Sequence, residues 1–189
     1  ILLTTFARNL ALRAFPLSLQ LEKKGKKMSK NVIFIGFMGC GKSTVAQALA
    51  KQMKAHFIDT DELIKQRLGK EISEIFAEFG EDFFRNEEKK IADEIPKLNG
   101  YVIATGGGFY KALQRDKNSV IIYLKASFEF LRQRLDEKAL KERPLFANTE
   151  KARALFDERL SEYEKKADII INVEQKSVQE IVSKVISYL

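Results

Sequence analysis

From Asn31 onward, short apolar runs alternate with stretches whose apolar residues recur every three to four positions. NVIFIG (31–36) predicts a buried strand, and KSTVAQALAKQM behind it a helix carrying Val45, Leu49 and Met53 on one face. AHFI (55–58) predicts a short second strand. DELIKQRL and ISEIFAEF predict two short helices separated at Gly69, and EDFFRNEEKKIADEI a longer amphipathic helix ended by Pro96 and Gly100. YVIAT (101–105) and SVIIYL (119–124) are further buried strands, the second followed by the helical FEFLRQRL. Residues 136–149 (DEKALKERPLFANT) lack an apolar face and contain Pro144, which predicts a mobile loop. A helix over 150–166 with Leu155, Leu160 and Tyr163, a strand ADIIINV (167–173) and a helix over 177–189 complete the pattern. Strand–helix alternation of this kind implies a five-stranded parallel sheet covered by helices on both faces, an α/β domain of three layers.

Composition adjusts this picture at one end only. The chain has 189 residues, enough for one domain with an appendage, and a formal charge of +7. Much of that excess lies in residues 1–27, where Arg8, Arg13, Lys23, Lys24, Lys26 and Lys27 face Glu22 alone. Residues 28–189 are therefore nearly balanced, which argues against a broad nucleic-acid footprint. The apolar stretches of 1–27 are short and interrupted by arginine, too short to span a membrane. We expect an N-terminal extension over 1–27, either a frayed or artefactual tail or an organellar transit segment, and a folded domain over 28–189. Cys40 is the one cysteine, so no internal disulfide framework exists and a cytoplasmic location is expected.

The stretch GFMGCGKST (36–44) joins the first strand to the first helix. Gly36, Gly41, Lys42 and Ser43 match G-x-x-x-x-G-K-[ST], with Gly39 as a further glycine. Such glycines let successive N–H groups point into one concavity, and the helix adds its positive end. This predicts a nucleoside triphosphate site. Lys42 would reach the terminal phosphates and the Ser43 hydroxyl a Mg²⁺ ion, with Gly39, Cys40 and Thr44 completing the ATP-binding stretch. Cys40 is read as a small residue whose backbone N–H matters, without a catalytic role.

The loop alone does not name the reaction. No N-K-x-D sequence follows a later strand, as a GTPase would require. YVIAT ends in Gly106-Gly107-Gly108 rather than in the acidic residue of a motor ATPase. Those glycines offer backbone N–H groups to a polar substrate at close range. Carboxylates appear instead in Asp59-Thr60-Asp61. One could position Mg²⁺ through water and the other accept the proton of an attacking hydroxyl. Alternatively, Asp61 or Thr60 caps the helix DELIKQRL.

The phosphate loop, Asp-x-Asp after the second strand and ATGGGF together resemble the shikimate kinases, as do FFRNEE (83–88), ERPL (142–145) and ERLSEYEKKAD (158–168). The resemblance spans nearly all of residues 31–189, in the family's order and spacing. It implies the P-loop kinase fold with a mobile lid, and ATP-dependent phosphorylation of the 3-hydroxyl of shikimate. By that resemblance Arg85 and Arg159 bind the shikimate carboxylate, Glu88 holds Arg85, and Asp61 binds substrate and serves as base. Gly107, flanked by Gly106 and Gly108, makes a backbone contact, and Asp59 assists Mg²⁺ through water. Arg143 closes with the lid over the transferring phosphate, while Arg134 and Lys176 lie near the adenine. The partners implied are shikimate and ATP, with no nucleic acid or membrane, acting on a monomer. The competing expectations are a gluconate kinase of similar build and a nucleotide-binding homologue that has lost turnover. His56, Phe76, Phe79, Phe83 and Phe84 are read as core or near-core.

Overall fold

The computed structural model describes residues 29–134 and 148–189. The 1–27 extension and Arg143 lie outside these residues, as does most of the 136–149 loop. Five strands form one sheet: β1 (Asn31–Ile35), β2 (His56–Asp59), β3 (Tyr101–Ala104), β4 (Ser119–Lys125) and β5 (Ile169–Asn172). Their order is β2-β3-β1-β4-β5, with every neighbouring pair parallel. β1 is central, with Val32 opposite Val102 on one side and Val120 on the other. All five of its residues are buried, as a strand covered on both faces must be. Asn31 opens the strand as a buried polar group that is fully used. Its side-chain amide donates to the Ile95 and Leu98 carbonyls, and its oxygen accepts from the Tyr101 N–H.

The helices are α1 (Lys42–Met53), α2 (Thr60–Leu68), α3 (Ile72–Glu94), α4 (Phe128–Gln133), α5 (Thr149–Lys166) and α6 (Val178–Ile186). In α1, Val45 and Leu49 are buried and Met53 half-buried. The expected helices ISEIFAEF and EDFFRNEEKKIADEI meet end to end as α3, bent at Gly80 where φ is 80° and ψ 174°. A short 3-10 turn, Ile95–Lys97, takes the place of the expected last helical residue and Pro96. α5 begins one residue earlier than expected, because the Asn148 side chain caps it by accepting from the Lys151 N–H.

β2 runs one residue further than AHFI, and this matters for the site. Asp59 pairs with Ala104 at the strand's end and then serves as the N-cap of α2. The expected caps, Asp61 and Thr60, are both inside the helix. Their side chains are therefore released for other contacts. The core fills both faces of the sheet, with Phe84 buried and Phe76, Phe79 and Phe83 packed against it. His56 stacks on Tyr101 at 4.9 Å between ring centroids.

Candidate active site

Parallel strands all present their carboxyl ends to one edge of the sheet, where loops and helix N-termini converge. At that edge the β1–α1 loop, the β2–α2 junction and the β3 loop line one cleft. Its walls include Gly39, Gly41, Lys42, Ser43, Thr44, Asp59, Asp61, Gly106, Gly107 and Arg134.

The β1–α1 loop owes its path to its glycines. Gly36 has φ 143°, and a Cβ there would meet the Leu124 carbonyl oxygen at 2.8 Å. Gly41 caps α1 in the left-handed region with φ 94°. The Cys40 side chain turns inward and is 1% exposed, its sulfur packed against Gly36. Only its backbone is left to serve a ligand, consistent with a small residue chosen for size. Lys42 is buried, and its ammonium donates to the Gly36 and Phe37 carbonyls at 2.8 and 3.1 Å. The loop thus holds its own cation at the centre of a ring of backbone groups.

Ser43 donates its hydroxyl to Asp59 Oδ2 at 2.6 Å, while Asp59 Oδ1 accepts from the Asp61 and Glu62 N–H groups. One carboxylate therefore ties the phosphate loop to the start of α2. A hydroxyl and a carboxylate are the hard oxygen donors that Mg²⁺ accepts. Among the described residues no group of three or more His, Cys, Asp or Glu side chains could hold a metal ion. That agrees with an ion bound by few protein oxygens, the remainder coming from phosphates and water.

Asp61 differs from Asp59 in its surroundings. Oδ1 is buried without a hydrogen-bond partner among the described residues. Burial above all, then the neighbouring charges of Asp59 and Glu88, push its pKa up to about 6, with Lys42 pulling the other way. Such a carboxylate is ionised at neutral pH yet holds a proton far better than a surface aspartate.

Beyond Asp61, the Gly106–Gly108 loop passes between two arginines. A Cβ on Gly107 would lie 3.3 Å from Arg159 Nη1, and one on Gly108 would strike the Arg85 guanidinium, 2.8 Å from Cζ. Arg85 is held on both sides. It donates to Glu88 Oε2 at 2.7 Å and, through Nε and Nη2, to Glu81 Oε1. Glu88 is buried, and that burial raises its pKa against the opposing pull of Arg85. Arg159, on α5, is 7% exposed and leaves a buried Nε without a partner among the described residues. Two guanidinium groups beside a loop of bare backbone are the chemistry that could receive a small anion.

The structure thus lines the cleft with Lys42, Ser43, Asp59, Asp61, Gly106 and Gly107, and sets Arg159 beside Gly107 and Arg85, with its partner Glu88, beside Gly108. Arg134 lines the outer part of the cleft, with its guanidinium 5.5 Å from the Phe130 ring centroid. Lys176 does not line it, and lies in the turn after β5 with Nζ 3.5 Å from the Glu174 carbonyl oxygen. Sequence reasoning missed Thr60, whose hydroxyl accepts from the Gly106 N–H at 3.1 Å. It also missed the Tyr163 hydroxyl, which donates to the Gly107 carbonyl at 2.6 Å. No local signal marks either contact, since both join segments far apart in the chain.

A phosphate loop on a parallel sheet, facing a carboxylate and an anion receptor, defines a P-loop kinase acting on a small molecule. The shikimate kinase family model matches residues 38–189. A shikimate kinase of Caldanaerobacter subterraneus subsp. tengcongensis is 38% identical over 164 residues, covering 83% of this chain and 94% of the relative. Among solved structures, shikimate kinase from Acinetobacter baumannii in complex with shikimate superposes with a TM-score of 0.75. It is 29% identical, and the match covers 86% of this chain and 93% of that one. The Aquifex aeolicus shikimate kinase gives a TM-score of 0.69 at 32% identity, over 83% and 94%. The chain belongs to the shikimate kinase family.

Proposed function

We propose that this chain transfers the γ-phosphoryl group of ATP to the 3-hydroxyl of shikimate, giving shikimate 3-phosphate. The observation that carries the proposal is the convergence of Asp61, Arg159 and Arg85 on Gly106, Gly107 and Gly108 in turn, with Asp61, Gly106 and Gly107 lining the same cleft as Lys42. Family membership supports the same acceptor.

Each residue has a role that its chemistry allows. The N–H groups of Gly39, Cys40, Gly41, Ser43 and Thr44 would cradle the phosphates, and Lys42 would exchange its loop carbonyls for the terminal ones. Arg85 and Arg159 would receive the shikimate carboxylate, with Glu88 fixing the Arg85 fork. Carboxylate binding at one end of the ring sets which hydroxyl reaches Asp61. As that hydroxyl attacks phosphorus, its proton moves to an Asp61 oxygen, and the bond from phosphorus to the bridging oxygen of ADP breaks. Ser43 and Asp59, the latter through water, would hold Mg²⁺, which when bound neutralises charge on the phosphate oxygens. Arg143 is assigned its role over the transferring phosphate by motif register alone, and Arg134 and Lys176 theirs near adenine in the same way. We take the enzyme to act as a monomer. A lone cysteine supports a reducing, cytoplasmic setting. Among the described residues no helix is long and apolar enough to cross a membrane.

The test is ADP release coupled to acceptor phosphorylation, run with shikimate and with gluconate. Turnover is expected with shikimate alone. Preference for gluconate, or nucleotide binding without turnover on either acid, would overturn the assignment.

A further inference from the structure

We propose that Tyr163 is a positioning residue of the acceptor pocket, its hydroxyl holding the Gly107 carbonyl so that the glycine loop keeps one orientation between Arg85 and Arg159. The inference rests on the acceptor site described under Proposed function and adds a residue to it.

The backbone groups of the loop leave little unassigned. The Gly106 N–H donates to Thr60 Oγ1, and the Gly106 carbonyl accepts from the Phe109 N–H at 3.2 Å. The Gly108 carbonyl accepts from the Lys111 N–H at 3.2 Å. Among the described residues the Gly107 carbonyl has the Tyr163 hydroxyl alone, at 2.6 Å. The N–H groups of Gly107 and Gly108 have no partner among the described residues, so they are the donors the loop can offer an acceptor.

One of those donors is controlled by Tyr163. The Gly107 carbonyl and the Gly108 N–H belong to the same planar, trans peptide and point in opposite directions. Holding the carbonyl therefore fixes the N–H. Consecutive glycines impose no such restraint themselves, because their backbones reach both halves of φ/ψ space. Orientation has to come from outside the loop.

Tyr163 is suited to supply it. Its ring is 1% exposed, set edge-on to Tyr110 at 4.9 Å and tilted against Tyr123 at 5.2 Å. Burial holds the phenol well above its ordinary pKa, so it remains a donor. Arg159 lies one turn earlier on α5, and a Cβ on Gly107 would lie 3.3 Å from its Nη1 and 3.8 Å from the phenol oxygen. The hydroxyl and the arginine thus meet the glycine loop at the same residue, Gly107, the hydroxyl through a bond to its carbonyl.

Tyr163→Phe removes the hydroxyl and keeps the ring. We expect the KM for shikimate to rise about tenfold while the KM for ATP stays within about twofold of wild type. Tyr110→Phe, a neighbouring ring whose hydroxyl makes no bond to the loop, should leave both constants near wild type. A purely structural role would lower the melting temperature of Tyr163→Phe and leave both KM values alone, which would overturn the proposal. So would a parallel rise in both. Absence of wild-type turnover on shikimate would overturn the proposed function and this inference with it. Wild-type turnover with an unchanged shikimate KM in Tyr163→Phe would count against Tyr163 alone.

Discussion

Asp61 and Gly106 are packed so closely that any side chain at position 106 would collide with the carboxylate. A Cβ on Gly106 would strike Asp61 Oδ1 and lie 3.2 Å from Cγ. The Thr60 hydroxyl, bonded to the Gly106 N–H, prevents the loop from backing away. Gly106→Ala should therefore displace Asp61 while leaving the phosphate loop intact. We expect turnover on shikimate to fall by about tenfold or more with ATP affinity unchanged, measured by steady-state kinetics and nucleotide titration.

Asp61→Asn keeps the size of the side chain and removes its basicity. Lys42 is engaged as a donor to the Gly36 and Phe37 carbonyls, and the arginines cannot accept protons. Turnover should fall by about 10²-fold, the usual scale for a lost general base. ATP binding should persist, and shikimate affinity should fall less than turnover. Near-normal turnover would reduce Asp61 to a positioning residue.

The same substitution should stabilise the protein free of nucleotide and metal. The Asp61 pKa is raised from 3.8 to about 6 by burial and by Asp59 and Glu88, partly offset by Lys42. The folded state then binds this proton more tightly than the unfolded chain does. Its contribution to stability is present below the unfolded pKa and is lost as pH climbs through about 6. Asp61→Asn is free of that loss, so it should exceed wild type by about 1–3 kcal/mol at pH 8. The advantage should vanish near pH 4. Chemical denaturation at both pH values tests this, and an Asn variant less stable at pH 8 would contradict it.

Arg85 has two acidic partners of very different standing. The Glu81 side chain is 64% exposed and that of Glu88 only 2%. Glu81→Ala should change stability by no more than about 0.5 kcal/mol, as for most exposed ion pairs. Glu88→Ala leaves a buried void and a guanidinium without its inner anchor, and should cost about 1–3 kcal/mol. It should also raise the shikimate KM more than Glu81→Ala does. Equal effects of the two variants would show that the inner bond does not orient the arginine.

The strands were legible because a parallel strand buried on both faces must be apolar throughout, as NVIFI and YVIAT are. The phosphate loop was legible because its chemistry is local: glycines, lysine and serine lie within one turn of chain. Asp59 shows where such reading fails. Aspartate is disfavoured in strands, so nothing in AHFID announces that Asp59 pairs with Ala104 and then caps α2. Tyr163 falls in the periodic pattern of α5 with Leu155 and Leu160, and its ring is buried. Its hydroxyl acquires a role only through Gly107, 56 positions earlier, and no pattern on one helix can register a partner on another segment. Arg159 likewise looks like a surface arginine on a highly charged helix until α5 is laid against the glycine loop.

The central place of β1 also governs how the molecule is made. Val32 pairs with Val102 and Val120, so β1 waits during synthesis for two later strands. Until β3 has been synthesised both edges of NVIFI are open, and one edge stays open until β4 follows. Non-local pairing of this kind folds slowly, and exposed strand edges are where nascent chains associate wrongly. The arrangement that brings the phosphate loop to the middle of the sheet makes its supporting strand the segment most in need of chaperoning during synthesis.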